Sequence, residues 1–317
     1  MSLSVFLEVV EIRTKVASVF PFIMGVLFSL VYFHEFHPLN TAIFFLGMLL
    51  FDLTTTSINN YMDFKKAKSE TYKYQHNVIG RENISEATVR NLIFAMLAGT
   101  LLIGLYLTFV TGWLLLVMGL VVCFIGVFYT FGPIPLSRMP LGEVFSGVTM
   151  GLGIFAITIY INTIDQKVFY LALDFANGTF GLVGNLWAVC AIVLASLPLI
   201  FTIADIMLAN NLRDLEADIE NHRYTLVYYI GREAGIRLFQ GMMLASYAAI
   251  LLGLLFGLFQ WPILLVFLTL PKIRQNLKEH QASLPHPRSF GYSIKNMILF
   301  NSSYALGLLL CLLWQLL

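Results

Sequence analysis

The sequence is short of charge. Asp, Glu, Lys and Arg make up only 12% of its 317 residues, against 58% hydrophobic, whereas soluble domains sit near a quarter charged. With a mean hydropathy of +0.80, that shortage excludes a soluble globular domain and points to an integral membrane protein. Cysteine is scarce too. Cys123, Cys190 and Cys311 stand apart in apolar runs without disulfide or metal-ligand spacing, so they read as packing residues. The histidines, His34, His37, His76, His222, His280 and His286, form no ligand constellation. The net charge is only +1, and no nucleic-acid partner is expected. No signal peptide is expected either: Glu8 and Glu11 sit among the N-terminal bases, and no small-residue cleavage site follows the first apolar run. That run, 16–33, is expected to be a retained span.

What is present is a series of long apolar stretches. Runs of roughly 18 or more such residues are candidate transmembrane helices. They fall at about 16–33, 40–58, 90–110, 113–131, 143–162, 183–207, 235–257, 259–271 and 294–316. The boundary at 113 rests on a Gly112-Trp113 turn, and Trp113 and Trp261 fit interfacial anchoring. If the N-terminus is cytoplasmic, nine spans leave all but one of the 19 Lys and Arg residues inside, Lys167 being the exception. This positive-inside bias predicts an all-α polytopic bundle of nine helices with the N-terminus in and the C-terminus out.

The polar residues that interrupt this pattern echo one another. NNYMD at 59–63 follows the second span and NNLRD at 210–214 follows the sixth. Both fall on the basic side, four helices apart, so the chain reads as a single domain over 1–317. Its plan is two diverged four-helix halves, about 1–142 and 143–290, with a final helix appended. If the sixth helix continues past the membrane surface, Asn210, Asp214 and Asp218 stand at i, i+4 and i+8 on one face. Asn59 and Asp63 share the i, i+4 relation, and Asn60 precedes Asp63 by three. Brought together across a bundle, these are hard oxygen ligands of the kind Mg²⁺ takes when it shares a substrate phosphate. Lys65, Lys66, Lys68, Lys73 and Arg81 follow the first motif, and Arg213 and Arg223 lie in the second. Acids for a metal beside bases for anionic oxygens suit a diphosphate site. The lysines at 65, 66 and 68 are equally accounted for by topology, and His222 by a solvated loop. Asp205, two turns inside the sixth helix, is costly in a membrane unless it lines a site or packs against a helix partner. Asp52 in the second span reads the same way.

Two acidic motifs after helices two and six of a nine-helix plan resemble the UbiA superfamily of intramembrane aromatic prenyltransferases. Within it, NNLRDLEADIENHRYTL at 210–226 is similar to the 1,4-dihydroxy-2-naphthoate polyprenyltransferases of menaquinone biosynthesis. YTFGPIPLSRMPLGE at 129–143 is similar to the family's Tyr-Thr-x-Gly-Pro-x-Pro segment and the Leu-Gly-Asp/Glu after it. The first motif departs from the family pattern. Asn60 stands where an acid is common, neither Ala67 nor Ser69 supplies the later acid, and Glu70 is the nearest candidate.

The resemblance implies transfer of a polyprenyl chain from polyprenyl diphosphate to 1,4-dihydroxy-2-naphthoate, with loss of diphosphate and CO₂. The enzyme would be Mg²⁺-dependent, lie in the plasma membrane and open its site to the cytoplasm. Asn59, Asp63, Asp214 and Asp218 would hold the Mg²⁺–diphosphate, supported by Asn60, Asn210 and Asn211. Arg213, Arg223 and Lys73 or Arg81 would neutralise the leaving group. Tyr129 would orient substrate or shield an allylic cation. Glu143 would contact the aromatic acceptor or cap the fifth helix. The long donor tail would lie between helices or in the lipid bilayer. A sibling acting on another aromatic acceptor, or a secondary transporter, is the alternative.

Overall fold

The computed structural model describes the chain apart from residues 68, 69, 130, 132–134 and 221, and apart from the side chains of Arg13 and Tyr72. Lys68 of the basic run, the Gly-Pro stretch at 132–134 and Asn221 therefore lie outside the described residues. Among those described, seven helices are long and apolar enough to cross a membrane. They are α1 (Val16–Phe33), α2 (Pro38–Lys66), α3 (Glu86–Thr111), α5 (Gly142–Asn162), α6 (Leu186–Arg213), α7 (Arg232–Leu255) and α9 (Pro287–Gln315). Two more expected spans have a different form. The first is α4 (Trp113–Phe128), an apolar helix of 16 residues. The second begins as a 3₁₀ segment, Trp261–Thr269, and continues as the polar helix α8 (Leu270–Ser283), with prolines at both starts.

Local chemistry explains the ends. Pro38 opens α2 where its missing N–H is not needed. The Ser85 hydroxyl accepts from Thr88 N–H at 3.1 Å to cap α3, and Asn185 accepts from Ala188 N–H at 3.1 Å to cap α6. Gly112, at φ +116°, makes the α3–α4 turn that a side chain would strain. Large apolar side chains remain on the outside of the spans. Phe109 of α3 is 90% exposed, and Leu102 and Phe94 on the same helix are exposed with it. Such faces are at home in hydrocarbon, and the protein is a multi-pass membrane protein.

The chain divides into two compact units. Unit 1 comprises 1–19 and 38–135, and unit 2 comprises 20–37 and 136–317. Unit 1 packs α2 against α3 through Gly47, which lies on Ile103, and Gly99, which lies on Leu50. Beneath the end of α2, Val9, Phe64, Val78, Ile79, Val89 and Ile93 form a small apolar core. A second feature of unit 1 is ionic. Lys15, only 4% exposed, donates to Asp52 Oδ1 at 2.8 Å, to the Asp52 carbonyl at 3.2 Å and to Thr56. Ser18 donates to the other Asp52 oxygen. Asp52 is thus the counter-ion of a buried lysine.

Unit 2 is built on α6, which packs against α5, α7 and α9. Gly147 and Gly151 of α5 lie directly on the backbone of Ile200, so those helices approach closely. Its core runs from Phe28 and Phe155 through Leu199 and Leu208 to Phe239, Phe300 and Tyr304. A hairpin that the apolar-run reading did not anticipate joins α5 to α6: β1 (Phe169–Asp174) pairs antiparallel with β2 (Thr179–Gly184).

Candidate functional site

The two acidic motifs fall in different units. In unit 1 the first motif occupies the last turns of α2. Asp63 is exposed, and Asn59 and Asn60 are half-buried. The Asn60 amide donates to the Val9 carbonyl at 2.8 Å and to Glu11 at 3.3 Å, and its own carbonyl accepts from Asn77 at 3.0 Å. Asn60 thus ties the N-terminal segment to α2. Lys73 lies 4.9 Å from the centre of the Phe64 ring and 5.7 Å from that of Tyr74. Gly80 lies so close to the Lys73 carbonyl that a Cβ there would collide with it. Arg81 donates to both oxygens of Glu8 at 2.7 Å and to Glu82 at 3.1 Å. Those acids hold it above even its ordinary basicity, and they neutralise it locally. Tyr129 follows the last turn of α4, its N–H on the Ile125 carbonyl at 2.8 Å.

In unit 2 the second motif departs from the single straight helix expected. Backbone bonds of the i to i−4 kind run from Asp214 to Asn210 (3.0 Å) and from Asp218 to Asp214 (2.8 Å). At Asp214 itself, however, α6 stops, and a short helix, Leu215–Glu220, begins. The break separates the two carboxylates into different environments. Asp214 is half-exposed and is gripped by Arg213, which also donates to the Asn210 amide oxygen at 2.6 Å. Arg213 in turn lies 5.2 Å from the centre of the Phe290 ring. Asp218 is 4% exposed, with one oxygen 3.3 Å from Arg223 and the other without a hydrogen-bond partner. Burial pushes its carboxyl above the ordinary range, and the nearby Asp214 adds to this; Arg223, Arg213 and Arg138 oppose it. Glu216, next in line, is drawn below its ordinary range by Arg232 at 2.7 Å, so the short helix is braced from α7.

Deeper in unit 2, Asn211 donates to Glu143 Oε1 at 2.8 Å, joining the second motif to the first turn of α5. Glu143 is buried, and its second oxygen has no partner. Asp205 is buried on α6 with neither oxygen hydrogen-bonded, one turn from Thr202, which accepts from Asn301 at 3.2 Å. The reading of sequence alone missed two contributors. Arg138 adds positive charge at Asp218, and Arg232 braces Glu216. Arg138 stands within the 129–143 segment and Arg232 just beyond the 210–226 segment, so both had a signal in the family resemblance, but their relation to Asp218 and Glu216 had none.

The donors of the second motif are all oxygens: two carboxylates and the Asn210 amide. One Asp218 oxygen is buried without a partner, while Asp214 and Asn210 are occupied by Arg213. Among the described residues no three His, Cys, Asp or Glu side chains converge as a metal cage. This set fits a hard divalent ion that takes one or two carboxylates and completes its shell with phosphate and water, as Mg²⁺ does.

The model of the UbiA prenyltransferase family matches residues 18–278. The 1,4-dihydroxy-2-naphthoate octaprenyltransferase of Bacillus subtilis (strain 168) is 28% identical over 267 residues, 84% of this chain and 78% of that protein. A UbiA homolog from Archaeoglobus fulgidus, solved with DMAPP and Mg²⁺, superposes with a TM-score of 0.62 at 11% identity. The match covers 94% of this chain and 98% of that one. An apo UbiA homolog from Aeropyrum pernix K1 gives 0.65 at 12% identity, over 90% and 96% of the two chains. The chain belongs to the UbiA prenyltransferase family.

Proposed function

We propose that the protein transfers a polyprenyl chain from polyprenyl diphosphate to 1,4-dihydroxy-2-naphthoate, releasing diphosphate and CO₂ and giving a demethylmenaquinol. The observation that carries this reading is the second motif: a half-exposed Asp214 held by Arg213 and a buried Asp218 with an open oxygen, near Arg223 and Arg138. The naphthoate relative supports the acceptor, and the Archaeoglobus homolog's ligands support the donor class and the metal.

In this reading Asp214 and Asp218 would hold the metal with Asn210 in support, and Asn59 and Asp63 of the first motif are ligands of the same chemistry. When bound, Mg²⁺ neutralises charge that develops on the departing diphosphate. Arg213 and Arg223, which pair with those carboxylates, would supply positive charge to the diphosphate oxygens; Lys73 and Arg81 are bases of the same kind beside the first motif, Arg81 being held by Glu8. Breaking the allylic C–O bond sends its electron pair to the diphosphate, so fixed positive charge at that end speeds ionisation. Tyr129 orients substrate or shields the allylic cation. A ring carbon of the acceptor forms the new C–C bond, and loss of CO₂ returns an electron pair to the ring. Glu143, held by Asn211, contacts the acceptor. The motifs face the cytoplasm of the plasma membrane, and the donor tail lies in lipid. The echo between NNYMD and NNLRD marks an ancient duplication of about 1–142 and 143–290.

The test is purified protein with a labelled polyprenyl diphosphate and 1,4-dihydroxy-2-naphthoate, the product read by mass spectrometry. A product that has gained the prenyl group and lost CO₂ supports the reading. Prenylation of other aromatic acids in preference to the naphthoate overturns the acceptor and leaves the reaction class. No transfer to any aromatic acceptor overturns both.

A further inference from the structure

The β1–β2 hairpin lies between two membrane spans, at the opposite end of α6 from the second acidic motif. Its pairing sets Leu171 against Leu182 and Leu173 against Phe180. Alternation along a strand places Phe169, Leu171, Leu173, Phe180 and Leu182 on one face. Tyr170, Ala172, Asp174, Thr179 and Val183 fall on the other. At its root the apolar face is covered: Phe169 packs on the buried Tyr160 of α5, ring centres 5.5 Å apart. Further out the cover thins: Leu171 and Leu173 are half-buried on β1, while β2 is open. Phe180 is 81% exposed and Leu182 is 71% exposed. A two-stranded hairpin is at best marginally stable in water, and an uncovered apolar face with open edges invites aggregation.

The tip is fixed by Asp174, and Phe175 within it is 77% exposed. Asp174 accepts from the N–H groups of Ala176 (3.0 Å) and Asn177 (3.1 Å) and from the Asn177 amide (2.7 Å). On the polar side Lys167 lies 5.7 Å from the Tyr170 ring centre. Where β2 returns to the membrane, Leu186 and Trp187 are both largely exposed in the first turn of α6. That is the level at which tryptophan marks the boundary between hydrocarbon and headgroups. The exposed apolar face is therefore continuous along the chain with the lipid-facing start of α6, and it continues outward the surface that Tyr160 covers at the root.

We infer that the hairpin is an interfacial element that lies on the bilayer, Leu171, Leu173, Phe180 and Leu182 turned into the acyl boundary and the Tyr170–Asp174–Thr179 face turned to water. Its occupant is lipid. The tip and Lys167 stay at headgroup level, and the alternating pattern of residues 169–182 is an amphipathic strand pair used as amphipathic helices are used elsewhere. The hairpin then fixes the depth of α6, whose 28 residues span roughly 42 Å. This anchoring does not depend on the reaction proposed above.

The experiment uses the full chain with Cys123, Cys190 and Cys311 replaced by serine, reconstituted in lipid nanodiscs. Spin labels are placed singly at Phe180→Cys and Leu182→Cys on the apolar face and at Ala172→Cys and Thr179→Cys on the other. Collision with oxygen, which enriches in lipid, is compared with collision with a water-soluble nickel chelate. The expected result is an oxygen-to-nickel ratio several-fold higher at 180 and 182 than at 172 and 179. Leu171→Cys and Leu173→Cys repeat the reading if either apolar-face variant fails to fold. Equal nickel access on both faces overturns the inference, since the hairpin would then stand in water. Spin–spin broadening at 180 that disappears on dilution with unlabelled protein also overturns it, since a second copy would then cover the face.

Discussion

Lys15 and Asp52 offer the sharpest test of how unit 1 holds its N-terminal segment against α2. The ammonium is almost wholly buried and has three acceptors, the Asp52 carboxylate, the Asp52 carbonyl and Thr56. Replacing Asp52 by leucine leaves that charge without its counter-ion. Removing one partner of a buried pair costs about 3–5 kcal/mol, because the desolvation already incurred is no longer compensated. At about 2 °C per kcal/mol for a chain of this size, Asp52→Leu should lower the melting temperature by roughly 6–10 °C. Lys15→Met should cost less, since Ser18 still donates to Asp52. The double variant Lys15→Met, Asp52→Leu should return to within about 2 °C of the parent, because an apolar pair of similar volume replaces the ion pair without a buried charge. Scanning fluorimetry in one detergent, run as a double-mutant cycle, measures all four proteins. A drop below about 2 °C for Asp52→Leu, or losses that simply add in the double variant, would refute the reasoning.

Three other outcomes follow from the same coordinates. Glu143→Leu removes the acceptor of Asn211 and leaves a buried amide unpaired, at about 1–3 kcal/mol; Glu143→Gln keeps the acceptor and should melt near the parent, while its KM for the aromatic acceptor rises if Glu143 contacts that substrate. Gly80→Ala places a methyl against the Lys73 carbonyl and the Phe64 ring. It should cost about 1–3 kcal/mol by thermal melting and reduce turnover through Lys73 more than a comparable loss of stability elsewhere. His280 is fully buried on α8, stacked on Phe239, and burial pushes its pKa down to about 4. An unfolded histidine takes its proton near 6.5, so this contribution is complete above pH 6.5 and falls away as the pH drops toward 4, by up to about 3 kcal/mol. Melting curves from pH 7 to 4 should show that loss in the parent and a smaller one in His280→Phe.

Much of the membrane plan was legible because long apolar runs are a strong signal. The first, second, third, fifth, sixth, seventh and ninth expected spans each correspond to a long helix, with ends shifted by a few residues where caps such as Ser85 and Asn185 decide them. The eighth takes a different form because Pro262 and Pro271 divide the run, and the polar sequence after Leu270 stays helical. The hairpin was missed because a search for runs of 18 passes over alternation of period two. At the proposed site, the spacing of the carboxylates was visible in the sequence and their environments were not. Spacing places Asp214 and Asp218 one turn apart, but it does not show that α6 stops at Asp214 or that one carboxylate is half-exposed and the other buried. Asp52 could be flagged as costly from its position, whereas its partner Lys15 lies 37 residues away and looked like one more basic residue at the cytoplasmic side.

The central claim is that the second motif holds the metal and diphosphate for prenyl transfer. The measurement that addresses it most directly is prenyl transfer by purified Asp214→Asn and Asp218→Asn beside the parent, each across a Mg²⁺ titration and each with its melting temperature recorded. The parent should be silent in EDTA and restored by Mg²⁺. Both variants should melt near the parent, lose turnover by at least 10²-fold, a typical loss for charge-stabilising groups, and need more Mg²⁺ for what remains. Full turnover in both variants, or a parent equally active in EDTA, would contradict it.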